Sequence, residues 1–166
     1  MRCTKTIKNG YEIIEYETGA VTRQIINNDD AYSMPEFERY HVHDRKSWEK
    51  YRACMTPSAP WSGQRIAEAC APYVQRELPL CLNLGGTWGG LRDLVGPERA
   101  CMILYDDPDL AQEIIDWLHQ MRKTYQLPLM EYLKPDIILT HEDCCYNHGM
   151  MTVSYTHLTL PTNREV

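Results

Sequence analysis

The chain has 166 residues, of which 43% are hydrophobic and 24% charged, and its formal net charge is −6. This is the balance of a soluble, globular domain long enough to bury a core, not of a disordered segment. The acidic balance and the lack of any Lys/Arg run count against a nucleic-acid or anionic-membrane partner. No apolar run approaches the roughly 20 residues of a membrane helix. The N-terminus, MRCTKTIKNGYEIIEY, lacks the basic-then-apolar pattern of a signal peptide. Seven cysteines, odd in number and irregularly spaced, fit reduced thiols in a cytoplasmic protein better than a disulfide framework.

Along the chain, YEIIEY (11–16) and VTRQII (21–26) are β-leaning runs around Thr18-Gly19, which predicts a hairpin. NNDDAYSMPEFERYHVHD is expected to be a loop punctuated by Pro35. Asp44 or Ser47 can cap a short helix carrying Trp48, Tyr51 and Met55, which ends before Pro57. A second helix is expected from Gln64 to Arg76. LPLCLNLGG (78–86) is a short apolar run closed by glycines, as in a strand buried on both faces. TWGGLRDLVG and PERACMILY predict two short helical segments, the second with Pro97 in its first turn.

The strongest helix signal starts at DDPDL. Asp107 suits the N-cap, Pro108 the first turn, and Asp109 the positive helix end. Leu110, Ile114, Trp117, Leu118, Met121 and Tyr125 then form one apolar stripe. Pro135-Asp136 leads into a buried-looking strand, Ile137–Leu139, whose end carries Thr140, His141, Glu142 and Asp143. Strand, helix and strand at this spacing form a βαβ unit with parallel strands. Both strands finish in polar or glycine-rich motifs, GGTWGG and THEDCC, and such strand ends are where barrel and open-sheet enzymes keep their active sites. A closed eight-stranded barrel needs about 250 residues, so this chain is too short to be one.

Three segments carry a family resemblance: SMPEFERYHVHDRKSWEKYR, LCLNLGGTWGGLRDLVGPERACMILYDDPDLAQEIIDW and KPDIILTHEDCCYNHGMM. Together, from about Tyr11 to Met151, they resemble the middle of a uroporphyrinogen decarboxylase-like protein, on the branch grouped with corrinoid-dependent methyltransferases. Shared features are the "MP-x-f … dr-x-W" segment, the aromatic-glycine turn, the "YDDP" helix start and the "ED" strand end. THEDCCYNHG replaces the "FDSWAG"-like strand end of the decarboxylases proper, which favours the methyltransferase branch. The resemblance implies an α/β fold, a fragment of a (β/α)8 TIM barrel over residues 1–151, with residues 1–30 as a β-hairpin and lead-in. It also implies a zinc ion and a corrinoid partner protein for a full-length parent. The family's zinc ligands, a His-x-Cys and a distant Cys, lie further along than any residue here.

The C-terminal stretch reads differently. VSYTHLTLPT resembles the translation of a sequencing-library adapter, GTC-TCT-TAT-ACA-CAT-CTG-ACG-CTG-CCG-ACG. A sample index can supply Asn163, Arg164 and Glu165, and the resumed adapter, GTG-TAG, gives Val166 and a stop. Residues 152–166 are therefore expected to be a non-native, adapter-derived tail with no part in the fold.

The chemistry-bearing candidates sit at the two strand ends. Carboxylates such as Glu142 and Asp143 can orient substrate, accept a proton or hold the tautomer of a neighbour such as His141. These three are the expected catalytic residues; capping of the next helix or pairing with an arginine is the bland alternative. Trp88 can wall a pocket for a flat or methyl-bearing group, or sit in the core. Arg92 can face a carboxylate or phosphate, or pair with Asp93 or Glu98. Asn83, in a strand, needs amide partners and can line a barrel interior. These three are the expected substrate-binding residues. His141, Cys144, Cys145 and His148 lack zinc-finger spacing, and adjacent cysteines in an extended chain point to opposite faces, so no metal ligand is assigned. His41 and His43 fall in a connecting stretch, and His119 is expected on a solvated helix face.

The resemblance implies methyl transfer between a corrinoid protein and a thiol or methylated substrate in the parent, and no activity in the fragment alone. The alternatives are a tetrapyrrole decarboxylase, which needs arginines for substrate carboxylates, and a non-catalytic binding barrel.

Overall fold

The computed structural model describes residues 2–26, 35–59, 61–143, 145–146 and 149–151. The adapter-like tail, 152–166, lies outside the described residues, as do Cys144 and His148.

The first element is a four-stranded antiparallel sheet in the order β1 (Cys3–Lys8), β2 (Tyr11–Tyr16), β3 (Val21–Ile25) and β4 (Glu36–Arg39). The expected hairpin is β2–β3. Its turn is closed by Tyr16 N–H on Ala20 O at 2.9 Å and Gly19 N–H on Tyr16 O at 2.8 Å. Gly19 has φ +100°, a left-handed conformation that suits glycine. β4 corrects the expectation of a loop at Pro35–Arg39. There Arg23 of β3 pairs with Glu36 at 2.7 Å and with Glu38 at 3.6 Å, and such cross-strand ion pairs favour a strand over a loop. Pro35 precedes the strand, where its missing N–H costs no ladder bond.

Among the described residues, six α-helices follow. α1 (Arg45–Met55) opens with a reciprocal capping box. The Asp44 carboxylate accepts from Ser47 N–H at 2.7 Å, and Ser47 Oγ accepts from Asp44 N–H at 2.9 Å, so both expected caps operate together. α2 (Gly63–Val74) is capped by Ser62. α3 (Thr87–Val95) and α4 (Pro97–Asp106) meet at Gly96, with φ +89°. α5 (Pro108–Met121) has Asp107 as its N-cap, accepting from Leu110 N–H at 3.1 Å, and continues into a π-helical turn at Arg122–Gln126. α6 (Leu129–Leu133) ends at Lys134, which has φ +43°.

The core lies among α1, α3, α4 and α5, with Val42 in front of α1. Trp48, Leu91, Ile103, Leu110 and Ile114 are fully buried, and Trp88, Trp117 and Leu118 pack against them. The first half of the predicted α5 stripe is thus core, as its 3.6-residue spacing dictates.

β5 (Cys81–Asn83) and β6 (Ile137–Leu139) are paired in parallel, in register Cys81 to Ile137, Leu82 to Ile138 and Asn83 to Leu139. Leu84 N–H extends the ladder to Leu139 O at 2.9 Å. The parallel pairing follows from the helices between the strands. Their expected burial does not hold. Ile137, Ile138 and Leu139 are 53%, 47% and 43% exposed, because among the described residues this sheet has two strands and its faces are uncovered. Cys145–Tyr146 and Gly149–Met150 form β7 and β8, a short antiparallel pair.

Arg45 and Arg52 of α1 both donate to Glu113 of α5, at 2.7 and 2.6 Å. Among the described residues, the buried Trp48 indole N–H meets no acceptor within hydrogen-bond geometry. It nevertheless approaches the Glu113 carboxylate closely enough to favour its charge. With the Arg45 hydrogen bond and the two guanidinium charges, it holds Glu113 below the ordinary glutamate range. A carboxylate depressed in the folded state stabilises the fold above its ordinary pKa, and that stabilisation is lost as pH falls through the lowered value. Glu113→Gln should lower the melting temperature by roughly 2 °C at pH 7, the scale of an exposed ion pair. Thermal melts of both proteins should converge as the pH drops below the glutamate range; an equal gap at every pH would contradict this account.

Candidate functional site

The carboxyl ends of β5 and β6 lie side by side, and each carries its motif into one place. After β5, Asn83 turns its side chain back to the main chain: its Oδ1 accepts from Gly85 N–H at 2.8 Å. Gly85 has φ +67°, which a side-chain-bearing residue rarely adopts. Gly86 then stands at the N-cap of α3 with no side chain to offer the first turn. Glu142, beyond the end of β6, fills that role.

One Glu142 oxygen, Oε1, accepts from the N–H of Thr87 and from that of Trp88 at 3.1 Å; Oε2 accepts from Gly89 N–H at 2.8 Å. A carboxylate at this position satisfies orphan amide donors and faces the positive end of the helix dipole. A Cβ at Gly86 would overlap both the His141 carbonyl and the Glu142 carboxylate, so this close approach requires glycine.

Arg122, in the π-helical turn after α5, grips the same turn from the other side. Its Nε donates to Leu84 O at 2.9 Å, Nη1 to Thr87 Oγ1 at 3.2 Å, and Nη2 to Gly86 O. His119 Nε2 lies 3.1 Å from that same Thr87 hydroxyl, so the ring has a partner on the helix face expected to be solvated.

Arg92, one turn further along α3, reaches the β6 end as well. Its Nη2 donates to Asp143 at 3.1 Å and to Asp93 at 3.4 Å. Burial alone would lower the arginine's pKa, but the hydrogen bond to Asp143 and the charge of Asp93 outweigh it, and the pKa is raised.

These residues border a cleft of about 460 Å³. His141, Asp143 and Arg92 line it together, with Gly85, Gly86 and Gly89 as its glycine rim and Arg122 beside them. Glu142 faces the backbone of α3 instead. The Trp88 ring packs against the core with its Nε1 buried and, among the described residues, without a hydrogen-bond partner, and Asn83 is held in the turn. Of the six expected site residues, His141, Asp143 and Arg92 therefore converge on the cleft, Glu142 and Asn83 support its rim, and Trp88 packs against the core.

The far wall is aromatic: Tyr51, Trp61, Trp117 and Tyr125. Trp117 and Tyr125 belong to the α5 stripe, whose C-terminal end serves as cleft wall rather than as core alone. Arg122 was hidden in the sequence, because a basic residue near a helix C-terminus needs no special reason.

A second cleft of about 960 Å³ shares Tyr51, Arg92, Asp93 and Asp143 with the first, and His41 borders it. His41 Nδ1 lies 2.8 Å from the buried Thr18 hydroxyl, and burial lowers the imidazole's pKa. Among the described residues, no three His, Cys, Asp or Glu side chains converge as a metal site would require. None of these residues is therefore assigned to the zinc ion that the resemblance implies.

Comparisons of the chain with protein-family models, curated proteins and solved structures return no match.

Because one carboxylate serves three amides, Glu142→Ala should cost about 1–2 kcal/mol, the upper part of the range for losing a helix cap. Amide hydrogen exchange should accelerate at Thr87, Trp88 and Gly89 and remain slow at Leu91, inside the helix. Unchanged exchange at those three amides would show that Glu142 does not cap α3.

Proposed function

We propose that the chain belongs to a (β/α)8-barrel methyltransferase of the uroporphyrinogen decarboxylase-like type, which moves a methyl group between a corrinoid protein and a thiol or methylated small molecule. The observation that carries this reading is the convergence of the glycines of GGTWGG with His141 and Asp143 on one cleft at the carboxyl ends of two parallel strands. Active sites of parallel α/β enzymes form at such strand ends. The exposed apolar residues of β6 support it too, since parallel strands are ordinarily covered on both sides and sit within larger sheets.

In this reading His141 and Asp143 contact the substrate, and Arg92 orients Asp143 through its hydrogen bond at 3.1 Å. Glu142 positions the loop that presents them. Zinc, bound by residues beyond this chain, would supply the activation of the acceptor thiolate. The residues present here shape the pocket, fix the glycine rim and keep the strand ends together.

Tetrapyrrole decarboxylation is the weaker reading. Binding several substrate carboxylates calls for arginines free to face the cleft. Arg122 donates through all three of its nitrogens to Leu84 O, Gly86 O and Thr87 Oγ1, and Arg92 lies between two aspartates.

Sequencing the source locus outward across Met151 tests the proposal. The reading frame should continue past Met151 and reach a His-x-Cys and a distant Cys. A frame that continues without those ligands would overturn methyl transfer. A genome that encodes VSYTHLTLPTNREV followed by a stop would remove the barrel from which the proposal is built.

A further inference from the structure

The charge and aromatic content of the 460 Å³ cleft narrow the chemistry of what it can hold. Four aromatic side chains line it in two edge-to-face pairs. Tyr51 and Trp117 are 5.8 Å apart between centroids and inclined by 75°; Trp61 and Tyr125 are 5.8 Å apart and inclined by 63°. Aromatic faces carry partial negative charge and attract cations. Trp61 already does so outside the cleft, where the Arg65 guanidinium carbon lies 5.8 Å from its ring centroid.

The polar end of the cleft presents carboxylate oxygens. Arg92 bridges Asp93 and Asp143 through a single nitrogen, so two carboxylates face one guanidinium. Both carboxylates are open to solvent, with side-chain exposures of 72% and 60%. Among the described residues, Asp93 Oδ2 and Asp143 Oδ1 accept no hydrogen bond. The other arginine, Arg122, is directed at main-chain carbonyls and a hydroxyl, and Glu142 contacts the same turn with the opposite charge. The four charged side chains of the lining, Arg92, Arg122, Asp93 and Asp143, sum to zero, but with Arg122 committed to the turn the groups left to meet a ligand beside the rings are two aspartates around one guanidinium.

We propose that this cleft takes an organic ammonium ion, a small amine with methyl or similar substituents, in preference to an anion or an uncharged molecule of the same shape. The apolar substituents lie against the four rings, and the positive nitrogen faces Asp143 and Asp93. The inference rests on the preceding reading of the cleft as the ligand site, and it concerns the ligand's charge, not the reaction.

The test is a titration of the full chain with choline, with its uncharged isostere 3,3-dimethylbutan-1-ol and with propionate. The readout is the indole N–H resonances of Trp61 and Trp117, with Trp48 in the core as internal reference. Choline should shift Trp61 and Trp117, leave Trp48 in place, and saturate at about one-tenth the concentration the isostere needs, the scale of a desolvated cation–π contact. Propionate should move neither indole. Asp143→Asn should weaken choline severalfold and leave the isostere unchanged. If propionate or the isostere binds as well as choline, the ammonium inference is overturned and the cleft remains a ligand site. If all three probes leave Trp61 and Trp117 unmoved, both fall.

Discussion

The first turn of α3 presents three main-chain N–H groups that its own N-cap, Gly86, cannot satisfy. The acceptor comes from the far end of the other parallel strand, as the carboxylate of Glu142. That contact requires β5 and β6 to end at the same level, the β5–α3 turn to be stripped of side chains at Gly86, and the His141 main chain to pass directly over it. Arg122 closes the turn from the opposite side through the carbonyls of Leu84 and Gly86. The glycines of the turn therefore have a specific physical role: they let a carboxylate and a backbone carbonyl approach a helix start. With the rim fixed this way, His141 and Asp143 on either side of Glu142 in sequence are left facing the cleft.

The same geometry explains why neighbouring carboxylates behave so differently. Glu142 and Asp143 are adjacent, yet one is directed into backbone amides and the other toward a guanidinium and solvent. Successive side chains in an extended segment point in opposite directions, so a single ED pair can serve the scaffold and the pocket at once. Among the described residues, the faces of the β5–β6 pair are left uncovered. Apolar strand residues left open to water forgo roughly 25 cal/mol for each Å² they could bury. A larger parallel sheet, with helices over both faces, is the arrangement that removes this cost.

Much of the helical architecture was legible in the sequence because local signals and burial agree there. Asp44, Ser47, Asp107 and Pro108 mark helix starts by their chemistry, and Leu110 and Ile114 fall on the buried face their spacing requires. The parallel pairing followed from the intervening helices. β4 was missed because EFER has no apolar alternation, and its strand state rests on Arg23 reaching across from β3. Burial of β5 and β6 was misjudged because an apolar run reports what a strand prefers, not which neighbours are there to cover it. In the site, His141, Asp143 and Arg92 were readable from their position at strand and helix ends. Arg122 and the aromatic wall were not, since their convergence depends on how α5 and its π-helical turn lie against the β5–α3 loop.

Everything in this account depends on β5 and β6 being parallel neighbours in one register, and this can be measured directly. Backbone nuclear Overhauser contacts on the isotopically labelled chain should connect Leu82 with Ile138 and Leu84 with Leu139, in the pattern of parallel strands. Observing them would place GGTWGG beside THEDCC in solution. An antiparallel pattern, or no contact between the two segments, would separate the motifs and dissolve the site.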